Sequence, residues 1–578
     1  MMYFLSGDAP FFFSEQMKAL SWLPQVWFPE IGFGDNALSR LWLDYPFRLV
    51  VKLLSTLGLS WWTIEKLLWG SVIALAIYSS YSLSKLIVKD RIWSAVSSLI
   101  YMTNSYALLL FGGGQLGVAL AYAFAPLVLL KFIESLSVVP VFRFRISILN
   151  GIYLAVLVMF DLRLAYLILA ALVLYYVVYI VNRGEKIKTA LNTLYTLFYS
   201  FFIPITVATF LHFYWVAPMI FGGSLSLSEQ LTSPGMLKFL SVADFSHAMS
   251  LLHPNWPENL FGKVYILQPE FLLLPLLAFG SLLALRRNMR HETGNMRLIK
   301  YFALLSLIGV FFAKGVQEPF GGIYNWCFSY IPGFIMFRDP TKFYLFIALG
   351  YSILIPYTLQ QYVGKIKSMF QKSAIKYAVA LMFVLFWLIT VRELPMGKLT
   401  GNFKPMGIPS EYIQFKNLLI ADTGKSRVLW LPKSDKFTYF SPTHPGLAGR
   451  DQFPIPTDEL FLRFIDSPGF KTALYEKGVK YIVVPVDIEK TIFMDDYRFN
   501  SRFREQLIMQ LTLSGFSRMP EFQSLAVFVN PSFKFQAETP SYISRLEGLS
   551  RVGLFVSTGV FVLCILLLKI TDKKKKRL

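Results

Sequence analysis

Eleven stretches without a charged residue run through this chain: 67–84, 92–110, 116–130, 146–160, 164–182, 190–211, 271–285, 301–313, 343–364, 377–391 and 552–568. No other feature constrains the fold as strongly. A segment crossing hydrocarbon must satisfy its own backbone, so each run is read as a helix. Several are shorter than the ~20 residues that span a bilayer core, but aromatic and snorkelling flanks extend them. Mean hydropathy of +0.51 over 578 residues, with 17% aromatic residues, fits the same class. The expected fold is an α-helical polytopic membrane protein of about 11 spans.

Lys and Arg orient it. Alternate connections hold Lys85, Lys89 and Arg91; Lys131, Arg143 and Arg145; Arg183, Lys186 and Lys188; Arg286 to Lys300; Lys365 to Lys376; and the tail Lys569 to Arg577. These six segments carry 24 of the 56 basic residues. The positive-inside rule makes them cytoplasmic and the C-terminus with them. The net charge of +21 is then largely topogenic and suits anionic lipid. It does not call for nucleic acid, which would want cations on one soluble face. Cys327 lies in an outer loop and Cys564 inside the last span, and they imply no disulfide or thiolate metal site. The expected setting is the plasma membrane. An outer N-terminus with an odd span count leaves two readings, a translocated N-tail or a first span lying upstream.

Three parts follow. Residues 1–391 form the bundle, with outer segments 1–66, 212–270 and 314–342. Within 1–66, residues 38–57 space Arg40, Asp44, Arg48 and Lys52 among apolar positions, as in a helix lying in the membrane surface. Residues 392–548 shift to Pro, Gly, Asp and Lys, with strand-like runs at 427–431, 481–485 and 525–529. They are expected to be a small extracytoplasmic α/β domain acting as a cap. Residues 549–578 are the last span and basic tail.

Candidate chemistry lies on the outer side. Asp8, in Ser6-Gly7-Asp8-Ala9-Pro10, is a carboxylate flanked by apolar residues, and ionisable groups near hydrocarbon are costly and mostly functional. Asp161-Leu162-Arg163 puts an acid and a cation in one tight turn. The bland reading is a local ion pair. The functional one makes Asp161 a second acid or metal ligand and Arg163 a phosphate fork. His253, beside Trp256, is a candidate for sugar or phosphate contact. Arg338-Asp339-Pro340-Thr341-Lys342 opens a span. Asp339 suits the cap and Pro340 the first turn, but two cations at a helix N-terminus oppose the macrodipole unless an anion docks there. The run Phe111-Gly112-Gly113-Gly114-Gln115 is a turn rather than a phosphate cradle, since no strand precedes it.

These residues resemble the GT-C class of membrane glycosyltransferases, in particular its YfhO-like and arabinofuranosyltransferase-like members. The likeness rests on the Gly-Asp of the first outer segment, the Arg-Asp-Pro-Thr-Lys-Phe entry to a late span, and phrases such as Gly478 to Val484 and Leu525 to Asn530. It implies an inverting enzyme that moves a sugar from a polyprenyl-phosphate carrier to a glycan, lipid or protein acceptor. Asp8 would be the catalytic base, Asp161 an assisting acid, and Arg163, Arg338 and Lys342 the phosphate ligands, with Asp339 and His253 in the substrate site. A divalent cation, Mg or Mn, is an optional cofactor. The alternatives are a lipid or polysaccharide flippase, for which no inverted halves are visible, and a non-catalytic assembly protein.

Overall fold

A computed structural model describes residues 11–136, 140–181, 197–222, 234–251, 269–286, 294–364, 369–392, 407–434, 437–449, 457–486, 501–535 and 541–575, with isolated positions between them. Asp8 and His253 lie outside the described residues.

The first outer segment holds α1 (Ser14–Ala19), a hairpin of β1 (Trp27–Phe28) and β2 (Asp35–Asn36), and the amphipathic α2 (Leu41–Thr56). The bundle follows: α3 (Trp61–Lys85), α4 (Arg91–Thr103), α5 (Ser105–Gly112), α6 (Leu116–Ser135), α7 (Pro140–Phe160), α8 (Leu162–Val181), α9 (Ile203–Leu211) and α10 (Phe213–Phe221). Two short helices, α11 (Pro234–Leu240) and α12 (Phe245–Met249), precede α13 (Pro269–Arg286) and α14 (Gly294–Ala313). Then come α15 (Gly321–Tyr330), α16 (Tyr344–Gly364) and α17 (Met369–Thr390).

Among the described residues eight helices are long and apolar enough to cross a membrane, or ten if two bent pairs each count as one span. The eleventh run is the shorter apolar helix Leu272–Leu285. The bends have physical causes. Between α4 and α5 the chain turns by 45° at Asn104, whose side chain accepts from Ala107 N at 3.2 Å and donates to the Tyr122 hydroxyl at 2.8 Å. Between α9 and α10 it turns by 84° at His212, which bonds the Ala155 carbonyl at 2.8 Å and accepts from the Trp215 indole at 3.0 Å. Asn104 also donates to the Tyr101 carbonyl at 2.7 Å, a group that the break frees inside an apolar bundle, while His212 ties the second bend to α7. Helix α16 runs through the middle, and Gly350 lets it approach α14. A Cβ there would stand 1.7 Å from Ser306 Oγ and 2.8 Å from the Phe302 carbonyl.

The sheet module starts with α18 (Ser410–Ala421), β3 (Arg427–Trp430) and β4 (Gly446–Ala448). It continues with α19 (Asp458–Ile465), α20 (Pro468–Glu476), β5 (Val479–Pro485), α21 (Ser501–Leu513), β6 (Ser517–Arg518) and β7 (Leu525–Val529). The sheet order is β4-β3-β5-β7-β6, parallel among β4, β3 and β5 and antiparallel beyond. The last helix, α22, begins already at Ser541 and runs to Lys575.

One sheet face packs on α19, α20 and α21 through Leu429, Ile482, Ala526 and Phe528. The other shares a core with the first outer segment: Phe12, Phe13, Met17 and Leu20 sit with Trp430, Val483, Val527 and Trp61 of α3. Phe12 meets Phe437 at 5.0 Å between ring centroids, and Lys416 pairs with Glu15 at 2.9 Å. At the sheet edge, Gly446 bonds Gly32 N (2.9 Å) and the Glu30 carbonyl (3.2 Å), so the β1–β2 turn covers the open side of β4. The module is therefore built onto the first segment and the outer end of α3 rather than hung above them.

A buried polar knot in this module makes its stability depend on pH. Burial raises the Asp422 carboxyl, but bonds from Lys480 (2.6 Å) and Tyr481 (2.9 Å) outweigh it and hold it below the usual carboxylate range. Burial pushes the neighbouring His444 imidazole down, with Asp422 partly opposing. An unfolded histidine takes its proton near pH ~6.5 and the folded one resists, so stability falls as pH drops through that value. The depressed Asp422 adds a second loss below about pH 4. The unfolding temperature of the full chain is expected to fall between pH 7 and pH 5. His444→Gln should flatten that step and leave the more acidic one.

Candidate active site

Three turns meet at one end of the bundle: the α7–α8 turn, the α5–α6 turn, and the approach to α16. Asp161 sits between α7 and α8 and is 1% exposed. Its Oδ1 caps α8 by accepting from Arg163 N (2.8 Å) and Leu164 N (3.1 Å). The same carboxylate takes the Arg163 fork, with Nε 3.1 Å from both oxygens and Nη2 2.5 Å from Oδ2. Asp161 is thus fully engaged. Its geometry serves to aim Arg163, whose side chain keeps 33% of its surface.

Asp339 caps the turn entering α16, accepting from Thr341 N at 3.1 Å, and pairs through Oδ2 with Lys342 Nζ at 2.9 Å. Lys342 is 3% exposed and also reaches Gln115 Oε1 at 3.4 Å. Its charge is absorbed by Asp339, which accounts for a cation at a helix N-terminus without any bound anion. Asp339 also acts electrostatically on Arg163, and Asp161, Asp339 and Arg163 all act on the buried Tyr106. Asp161, Arg163, Asp339 and Lys342 therefore belong to one cluster in which two acids balance two cations.

Arg338 stands apart. It is half-buried beside this neutral cluster, and no side chain among the described residues pairs with it. Its neighbour Phe337 is fully buried, and the Phe337 carbonyl accepts from the Tyr324 hydroxyl at 2.5 Å, which fixes the turn.

Sequence reasoning overlooked two members. Gln115 closes the triple-glycine turn, and Gly114 takes φ +63° there, so the turn reading holds and its last residue has a task. Tyr106 follows the Asn104 break and has no signature in the sequence. It stacks on Tyr344 at 5.9 Å, and Tyr344 in turn feels Asp244, the α12 cap. Hydrogen bonds from the His247 side chain and backbone hold the Asp244 carboxyl below its ordinary range. Among the described residues no group of three or more His, Cys, Asp or Glu side chains is placed to hold a metal ion.

No protein-family model and no curated protein sequence matches the chain. Among solved structures, the fold is similar to that of the arabinofuranosyltransferase AftD from Mycobacteria, with a TM-score of 0.59 and 14% identity. The match covers 92% of this chain and 38% of AftD, so the chain spans well under half of that enzyme's length. A mutant AftD in two classes gives TM-scores of 0.56 and 0.53 at 13% and 14% identity, covering 91% and 92% of this chain and 40% of that one. The shared architecture is the GT-C membrane fold that the sequence resemblance anticipated.

The charge balance predicts unequal costs for removing its cations. Lys342→Met leaves Asp339 without its counter-ion in a buried setting and is expected to cost about 3 kcal/mol. Adding Asp339→Asn should recover more than half of it. Arg338→Ala breaks no pair and is expected to stay within about 0.5 kcal/mol. Denaturation of the detergent-purified chain measures all three.

Proposed function

We propose that this chain is a membrane glycosyltransferase that moves a sugar from a polyprenyl-phosphate carrier to an acceptor outside the cytoplasm, inverting the anomeric centre. The observation that carries the reading is Arg338, a half-buried guanidinium without a side-chain partner among the described residues, beside a cluster whose own charges cancel. A planar fork held at such a boundary suits the phosphate of a lipid carrier. The fold similarity to AftD supports the same class of chemistry.

Asp8 takes the proton of the acceptor hydroxyl as its oxygen attacks the anomeric carbon from the face opposite the phosphate. The bond from that carbon to the phosphate oxygen breaks, and Arg338 and Arg163 neutralise the charge that develops on the departing phosphate. Asp161 keeps Arg163 in place, while Asp339 and Lys342 hold the Arg338 turn. His253 contributes from the substrate side. A divalent cation such as Mg or Mn would take ligands beyond the described residues, Asp8 or His253 among them. The active face and the external module share one side of the plasma membrane, with the C-terminus on the other.

Reconstituted protein supplied with radiolabelled polyprenyl-phosphate sugars tests this. Wild type is expected to release glycan product. Asp8→Asn should lower the rate roughly 100- to 10,000-fold, as for loss of a general base. Arg338→Ala should lower it about 100-fold or more with the fold intact. Lipid movement across vesicles without product would instead identify a flippase, and full activity in Asp8→Asn would remove that residue from the chemistry.

A further inference from the structure

Helix α15 is ten residues long and crosses nothing, yet it presents three distinct faces. Gly321, Tyr324 and Cys327 are buried against the protein. Ile323, Trp326 and Tyr330 are 46%, 57% and 72% exposed. Gly322, Asn325 and Ser329 are exposed too, and all three are small or polar. At ~100° per residue, the apolar row falls within a sector of about 60°, and the polar row occupies a second sector roughly 100° away. A helix in water has no reason to sort its exposed surface this way. A helix lying in a membrane boundary does, because one exposed side meets lipid and the other meets water.

The surroundings agree. Phe320, at the start of the helix, is 68% exposed. The preceding span, α14, carries outward apolar residues at its middle, Leu304 and Leu307. Trp and Tyr are the residues that settle at headgroup depth. Trp326 and Tyr330 also lie 5.9 Å apart, close enough for a sugar ring to stack on, but Ile323 and Phe320 extend the apolar surface beyond what stacking uses.

We propose that α15 lies in the membrane–water boundary with Ile323, Trp326 and Tyr330 in the lipid leaflet, and so holds the Arg338 turn at the depth of lipid headgroup phosphates. The link is direct. Tyr324, on the protein face of α15, donates to the Phe337 carbonyl at 2.5 Å, and its ring packs on Phe334 at 5.2 Å. Wherever α15 settles, Arg338 settles with it. The partner is the leaflet itself, whether or not the chain transfers sugar.

The test uses the full chain in phospholipid nanodiscs, with Cys327 and Cys564 replaced by Ala and single spin-labelled cysteines at 322, 323, 325, 326, 329 and 330. Collision with dissolved oxygen reports lipid, and collision with a nickel chelate reports water. Labels at 323, 326 and 330 are expected to favour oxygen by at least roughly threefold, with the reverse at 322, 325 and 329. Nickel access to both rows would overturn the proposal and leave the face free for a glycan. Closure of both rows to both reagents would overturn it in favour of a protein partner. Where a label disturbs folding, quenching of Trp326 fluorescence by brominated lipid, read as the difference from Trp326→Phe, decides: no difference sinks the idea.

Discussion

Charges buried at the end of an apolar bundle have to be balanced, and the end of this bundle that holds Asp161 and Asp339 is arranged around that requirement. Asp161 with Arg163 and Asp339 with Lys342 form two close pairs that share one electrostatic neighbourhood. Each carboxylate also caps a turn, so one pair fixes the junction of α7 and α8 and the other the entry to α16. Buried pairs of this kind contribute little net stability, because desolvation offsets the attraction. What they do provide is a fixed geometry. The turn carrying Arg338 is held still from both sides, by Lys342 and Gln115 on one and by Tyr324 on the other.

The sheet module obeys a second constraint. A five-stranded sheet has two apolar faces, and α19, α20 and α21 cover one of them. On the other, the module's own α18 covers part through Tyr412, Phe415 and Leu419, and residues 11–20 with Trp61 at the head of α3 complete the core. The sheet's open edge is closed by the β1–β2 turn through Gly32 and Glu30. Two regions more than 380 residues apart in the chain thus share one core, as Phe12 with Phe437 and Glu15 with Lys416 make plain. The aromatic run Phe11-Phe12-Phe13 serves as filling for a sheet.

The candidate site was legible where chemistry is local. Asp161 with Arg163 and Asp339 with Lys342 are two and three residues apart, and short spacing alone announced an ion pair or a cap. It could not tell whether those pairs met one another, because that depends on how α8 and α16 pack. Nor could it tell that Arg338, next to Asp339, would be the cation left over. Tyr106 and Gln115 stayed hidden for the same reason: neither has a local partner, and each acquires its role from a residue on another helix.

The apolar runs could be read from the chain alone, as could the strand-like runs at 427–431, 481–485 and 525–529, since hydrophobic periodicity and the demand for internal backbone bonds act over one segment at a time. Which helices bend, at Asn104 and at His212, was decided by packing: the Tyr122 hydroxyl of α6 donates to the Tyr101 carbonyl that the first break frees, and His212 is held against the Ala155 carbonyl of α7. The docking of the module onto the first segment, and the neutral cluster beside Arg338, likewise belong to the tertiary structure. Both depend on surfaces and charges that become neighbours only once the helices are in place.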